Sequence, residues 1–248
     1  MEQATRQTTR QLSAKTEPFD SYWQAPDDVE KGYSAFNQYY RHNCLKYIPT
    51  ERSSKTLVIS CGPGYLLKLL RDEGYSDVLG IDSDPAKIKF GIDRGLDCRA
   101  EQAFPYLQGG RDRFDLIICE QEINHLTKDE MVDFLKLCRE NLRPGGTLYV
   151  YGLNGANPIT GPEALAQNFD HFNTLTEYSF RQVLEHCGFT EIQVVPLKLY
   201  VFYRNPLNYV GMAVTGALDL FFRISFKLYG KSNRIFTKKI AAVCKAPR

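Results

Sequence analysis

The sequence lacks any run approaching the roughly 18 uninterrupted apolar residues of a membrane span, and it has no glycine period, with only 18 Gly and 12 Pro in 248 residues. Membrane-spanning and collagen-like classes are therefore not expected, and an apolar fraction of 43% argues against a disordered chain. It has no C-x-x-C pair. The seven cysteines (Cys44, Cys61, Cys98, Cys119, Cys138, Cys187 and Cys244) are scattered and odd in number, which argues for a reducing cytoplasm and against both a disulfide framework and a metal site. The opening MEQATRQTTRQLSAKTEP carries no apolar stretch, so no signal peptide is expected. Net charge is scarce as well: 31 Lys+Arg against 29 Asp+Glu leave +2, which disfavours a globally basic nucleic-acid binder.

What the sequence does have is an uneven charge distribution. After Leu197 there are ten basic residues and one acid, Asp219, a balance of +9 that leaves −7 for residues 1–196. A shift this sharp marks a change of role along the chain.

Residues 1–18 are polar and lack apolar periodicity, as in a flexible arm. A single domain is expected over 19–248, with lid helices in 19–54. Within that lid Tyr33, Phe36, Tyr39, Tyr40 and Leu45 recur at helical spacing across 31–47. From Lys55 onward short apolar runs (56–60, 77–82, 96–100, 114–120 and 147–153) alternate with helix-period segments (64–73, 84–93 and 128–142). That alternation predicts a doubly wound α/β fold with a parallel sheet covered on both faces. A helix at 176–187 then precedes strands at 191–202 and 236–246. With no crossover between them, these two read as an antiparallel pair at the sheet edge, separated by an apolar-then-basic insertion at 205–235.

The first strand runs into Ser60-Cys61-Gly62-Pro63-Gly64 and then into a helix. Glycines there let a ligand approach the backbone, and the helix start presents unpaired N–H groups. Alone the turn is weak evidence, since many α/β proteins have one for tight packing. Asp82, at the end of the second strand, is placed to take both hydroxyls of a ribose. A dinucleotide fingerprint would need a third glycine where Leu67 stands, so a ligand with a ribose and no phosphates fits better than NAD.

The stretches LVISCGPG (57–64), LGIDSDP (79–85), RAEQAFP (99–105), FDLIICEQEINHL (114–126) and LRPGGTLYV (142–150) together resemble the class I S-adenosylmethionine-dependent methyltransferases, over about residues 31–204 and the last strand. The resemblance implies a Rossmann-like sheet of seven strands, mostly parallel, with an antiparallel C-terminal edge pair, and S-adenosyl-L-methionine as cofactor. It implies that Cys61, Gly62 and Gly64 approach the methionine part and that Asp82 binds the ribose. Ser83 is expected beside the adenine, Ala100 and Glu101 at its edge, and Glu120 with Gln121 beneath the sulfonium. Three departures stand out: Val58 where the family usually has an acid, Ser60 where it usually has glycine, and Arg99 where an Asp is often found.

For the transfer, His125 matches a position where many O-methyltransferases of the family carry a histidine, and His171 lies where the family builds its acceptor pocket. Each is read either as a base or acceptor contact, or as a residue that packs its loop. Glu120 and Glu122 are further base candidates, Tyr178 a weaker one, and Trp23 or Tyr39 a roof over the site. His42 and His186 receive no role. The insertion 205–235 is read as too short and too interrupted by Asp219 to span a bilayer. It serves instead as a partner contact, a helix over the pocket, or an interfacial helix with cations near anionic head groups.

The expected activity is O-methylation of a small-molecule or glycan acceptor, similar to enzymes of polysaccharide and lipid-linked glycan biosynthesis, in the cytoplasm or at the inner membrane face. The rivals are an RNA or protein methyltransferase and a binding module without turnover. The sequence lacks the Asn/Asp-Pro-Pro-Tyr/Phe motif of base amino-methylation, which disfavours nucleobase nitrogens as acceptors.

Overall fold

The computed structural model describes residues 26–110, 113–120, 122–167, 169 and 171–248. The arm at 1–18, the candidate roof residue Trp23 and the expected cofactor residue Gln121 lie outside them.

The described residues begin with α1 (Pro26–Asn43), followed by a single 3-10 turn at Leu45–Tyr47. The alternating part comprises β1 (Thr56–Ile59), α2 (Tyr65–Asp72), β2 (Val78–Asp82), α3 (Pro85–Ile92), β3 (Cys98–Ala100), α4 (Ala103–Gly109), β4 (Phe114–Glu120), α5 (Lys128–Asn141) and β5 (Leu142–Leu153). It ends with α6 (Thr160–Gln167), α7 (Glu177–His186), β6 (Thr190–Leu197), α8 (Pro206–Leu228) and β7 (Lys239–Lys245). The sheet order is β3-β2-β1-β4-β5-β7-β6, parallel except that β7 runs antiparallel to both β5 and β6. The edge pair and the doubly wound sheet thus follow the sequence expectation.

Both faces of the sheet are covered, and the strands are apolar accordingly. On one face Leu57, Ile59, Phe134, Leu148 and Phe180 pack together beneath α4, α5 and α7. On the other, Val58, Leu66, Leu70, Ile118 and Tyr149 pack against α1, α2 and α3. Val58 is completely buried there, which accounts for an apolar residue at a position usually acidic in the family.

Helix ends are set by local chemistry. Thr127 and Glu130 form a reciprocal capping box at the start of α5, Thr176 and Ser179 one at the start of α7, and Asp84 caps α3 with Pro85 in its first turn. The strand expected to reach residue 202 stops at Leu197, because Leu197–Lys239 is the last rung that β7 can pair. The strand expected from 236 starts only at Lys239, since Phe236 packs against Phe222 and Phe226 of α8 instead.

The insertion departs furthest from its sequence reading. Asp219 does not interrupt it. The Asp219 carboxylate meets Arg223 one turn on, at 2.7 Å, and α8 runs unbroken for 23 residues. By length and composition alone it is long and apolar enough to cross a membrane.

The strand order reverses between β1 and β4: the chain winds outward through β2 and β3, then returns to the other side of β1. Ligands of open α/β sheets bind beyond the carboxyl ends of the strands at such a switch point. The turn after β1 and the end of β4 both lie there.

Candidate active site

The turn after β1 is left-handed at three of its five residues, with φ of +57° at Ser60, +53° at Gly62 and +85° at Gly64. A side chain in this region costs about 1–2 kcal/mol, so the geometry explains why glycine is usual where Ser60 stands. At Gly62 an added Cβ would meet nothing within 4 Å, which leaves the backbone of the turn open to a ligand.

Leu67, which replaces the third glycine of a dinucleotide fingerprint, does not hold α2 away from the sheet. The space comes from β2: a Cβ on Gly80 would fall 2.6 Å from Leu67 Cδ2 and 2.7 Å from Cys61 Sγ. The glycine that permits close helix–strand packing has moved from the helix to the strand.

Asp82 ends β2 and is buried. Its Oδ2 accepts the Gly62 N–H at 2.8 Å and its Oδ1 accepts the Asp84 N–H at 3.0 Å. The carboxylate thus ties the glycine turn to the start of α3. It borders a narrow crevice lined by Ile59, Ser60, Ile81, Asp82, Ser83, Glu101 and Ala103. Ala100 is the register partner of Asp82 on β3, and the Glu101 N–H donates to Asp82 O at 3.0 Å. Arg99, the departure at this edge, has a half-exposed side chain 3.8 Å from Asp97. A larger groove, lined by Arg113, Arg139, Leu142, Pro144, Ala246 and Pro247, lies at the opposite end of the sheet and contains neither an acid nor a nucleophile.

A second group gathers at the end of β4. Glu120 Oε2 accepts hydrogen bonds from Tyr40 of α1 and, at 2.8 Å, from Tyr151 of β5. Its Oε1 is buried with no hydrogen-bond partner among the described residues. Burial pushes the carboxyl up to about 7; the two phenol donors and the charge of Lys239 hold it down, and Asp82 adds to the rise. Lys239, the first residue of β7, has its ammonium 5.7 Å from the centre of the Tyr151 ring. Burial lowers it to about 8, assisted by Lys238 and opposed by Glu120. Tyr39 is raised by burial and by Glu120, and its ring packs edge-on against Phe36 and Tyr40. These contacts close α1 over the carboxyl ends of the strands. Its Tyr33 hydroxyl reaches Pro63 O in the glycine turn.

The two candidate histidines come together. His125 ends a 3-10 turn after β4, and its ring centre lies 4.9 Å from that of His171, at 65° between planes. His171 Nδ1 is 2.6 Å from Ala164 O in α6. Two buried asparagines stitch the loops together. Asn124 donates to Asn173 O and accepts from Leu153 N, while Asn173 donates to Ile123 O and Leu126 O.

Of the other residues considered from sequence, Tyr178 is committed to Ser232 at 2.7 Å, and His42 lies 3.2 Å from the Tyr203 hydroxyl. Tyr40, Tyr151, Lys239, Asn124 and Asn173 were not anticipated. Only the position of Tyr151, level with Glu120 in the neighbouring strand, could have drawn attention to one of them.

Residues 33–194 match the profile of a family described as methyltransferase domain. Among curated proteins, a mitochondrial ubiquinone biosynthesis O-methyltransferase of Homo sapiens is 27% identical over 131 residues, 47% of this chain and 35% of that protein. The Caulobacter vibrioides ubiquinone biosynthesis O-methyltransferase is 32% identical over 104 residues, 40% of each chain. An N-terminal Xaa-Pro-Lys N-methyltransferase of Danio rerio is 28% identical over 152 residues, 53% of this chain and 67% of that one. The match thus spans little more than a third of the two ubiquinone enzymes. Among solved structures, a SAM-dependent methyltransferase from Archaeoglobus fulgidus superposes with a TM-score of 0.64 at 16% identity, covering 91% of this chain and 96% of that one. A phosphoethanolamine N-methyltransferase of Haemonchus contortus, in complex with S-adenosyl-L-methionine, gives 0.59 at 15% identity over 93% and 59%.

Proposed function

The chain belongs to the methyltransferase-domain family, and we propose that it moves a methyl group from S-adenosyl-L-methionine to an oxygen of a small-molecule or glycan acceptor. The residues present fit that cofactor: an open glycine turn, a buried carboxylate at the end of β2 beside it, and a second buried carboxyl with one unengaged oxygen. When bound, the cofactor supplies an electrophilic methyl carbon on a sulfonium. The protein's part is to align the acceptor and take its proton.

In this reading Asp82 holds the ribose hydroxyls, with Cys61, Gly62 and Gly64 along the methionine part. Ser83, Ala100 and Glu101 form the adenine end, and Gln121 belongs to the same set by sequence. Glu120 receives the acceptor proton. Poised at about 7, it is half ionised near neutral pH, which suits a general base. Its free oxygen is the observation that carries the assignment. His125 and His171 form the acceptor wall and orient the hydroxyl.

Oxygen as the receiving atom is supported by likeness to the ubiquinone O-methyltransferases. A lipid-linked saccharide acceptor of polysaccharide biosynthesis would bring the chain to a membrane surface, in keeping with the apolar and basic segment 205–235, with the enzyme working from the cytoplasmic side. The likeness to the Danio rerio N-methyltransferase favours a second reading, transfer to a polypeptide amine.

Incubation with methyl-labelled S-adenosyl-L-methionine and panels of phenols, glycans and N-terminal peptides separates the two. Label is expected on a hydroxyl compound, at a rate that falls at least about tenfold in His125→Ala and His171→Ala. Label confined to the peptides overturns the oxygen assignment, and unchanged rates in both histidine variants remove the acceptor wall.

A further inference from the structure

We infer that α8 is a membrane-docking helix that lies flat in the interface of a bilayer bearing anionic head groups. The inner face is fixed to the protein near both helix ends: Asn208 donates to Phe202 O, and Phe222 and Phe226 pack on Phe236. Gly211 lies so close to Tyr200 that a Cβ would fall 2.6 Å from its ring. At 100° per residue the opposite face carries Val210, Val214, Ala217, Phe221, Ile224 and Leu228, all exposed. Not one charged residue interrupts it. An amphipathic helix normally turns its polar side to water; α8 instead turns a broad apolar stripe outward.

Two features select a lipid surface over a second copy of the chain. The stripe is broad, about 160° from Leu220 to Leu218, wider than the two-position seam of paired helices. The positions flanking that seam are these two leucines, where a helix pair would carry charges of opposite sign to set its partner. The cations that remain sit at the side and at the exit of the helix, as Lys227, Lys231 and Arg234, placed to meet phosphate while the stripe enters the acyl boundary.

Geometry decides between lying and crossing. The helix is about 34 Å long, enough to span, but both its ends return to the same side of the sheet. β6 enters it from Leu197 and β7 leaves it at Lys239, and those two residues are paired. After the helix the chain turns straight back. The Lys231 N–H donates to Phe226 O, and the Arg234 and Ile235 N–H groups donate to Glu177 of α7. Leu153 at the carboxyl end of β5 also pairs with Lys239, so the docked face lies on the same side of the sheet as the Asp82 crevice and Glu120. An acceptor with an acyl or prenyl tail could then present its head group without leaving the bilayer, a consequence that rests on the proposed methyl transfer; the docking itself does not.

Flotation of the full chain with vesicles of phosphatidylcholine, with and without phosphatidylglycerol, tests the inference. Co-flotation with the anionic vesicles, falling as salt rises, is expected. The triple variant Phe221→Asn, Ile224→Asn, Leu228→Asn, altered only at exposed positions, should lose partition on the order of a hundredfold or more. Lys227→Gln with Lys231→Gln should lose about fivefold per charge on anionic vesicles and little on neutral ones. Binding of S-adenosylhomocysteine should be unchanged in both variants, which separates failure of docking from failure of the methyltransferase reading. Equal flotation of wild type and triple variant, no flotation at all, or a dimer in solution that the triple variant dissolves would each overturn it.

Discussion

Glu120 is where burial and charge act most directly on a single residue. Its carboxyl sits at about 7 in the folded chain against an ordinary 4.5, raised chiefly by burial. Below pH 4.5 both folded and unfolded forms are protonated and there is no penalty. As pH rises through this window the unfolded chain gives up its proton first, so folding stability falls until about pH 7 and is then level. Glu120→Gln should therefore gain stability over wild type at pH 8, on the order of 3 kcal/mol, and much less at pH 5, in urea unfolding at the two values. The same variant should lose activity by about 10²–10⁴ and with it the rise in rate near pH 7. Lys239→Met, which removes a nearby positive charge, should move that rise to higher pH; an unmoved profile would detach Lys239 from the site. Asp82, Gly62, Gly64 and Glu120 were legible in the sequence because strand ends and a glycine turn fix their places. Tyr40, Tyr151 and Lys239 were not, because they converge from α1, β5 and β7, elements far apart in the chain. In the sequence Lys239 is one cation among ten in a basic tail.

At the level of elements, close packing of α2 on β2 depends on one pair, Leu67 over Gly80. Gly80→Ala would drive a methyl into Leu67 and Cys61 and should destabilise by about 1–3 kcal/mol in urea unfolding. Combining it with Leu67→Ala should fall short of the summed single effects by at least about 1 kcal/mol, because each change fills the space the other distorts. Additivity would show that the pair does not set the approach. The main strands and helices were readable because their apolar spacing is long and regular. The short α4 and α6 were not, since each carries a proline, Pro105 or Pro162, that reads as a breaker. Both prolines lie in the first turn, where the missing N–H has no helical partner to lose. The reach of α8 was underestimated for a different reason: Asp219 counts as a charge in the sequence, yet it is paired on the inner face.

The molecule as a whole combines an acidic sheet domain with a cationic C-terminal part, and the near-zero net charge conceals both. The strand order was readable as a pattern of crossovers ending in an edge pair. Its consequence was not: the glycine turn, Asp82, Glu120 and the root of α8 all come to the carboxyl side of one sheet. If that side is the cofactor site, Asp82 organises it. Calorimetric titration of S-adenosyl-L-methionine and S-adenosylhomocysteine into wild type and Asp82→Asn tests this most directly, with circular dichroism confirming that the variant is folded. Saturable binding of both by wild type is expected, and at least about tenfold weaker binding by the variant, in which charge-assisted bonds to the ribose would be lost. A wild-type protein that binds neither, or a folded variant that binds both as tightly as wild type, would contradict it.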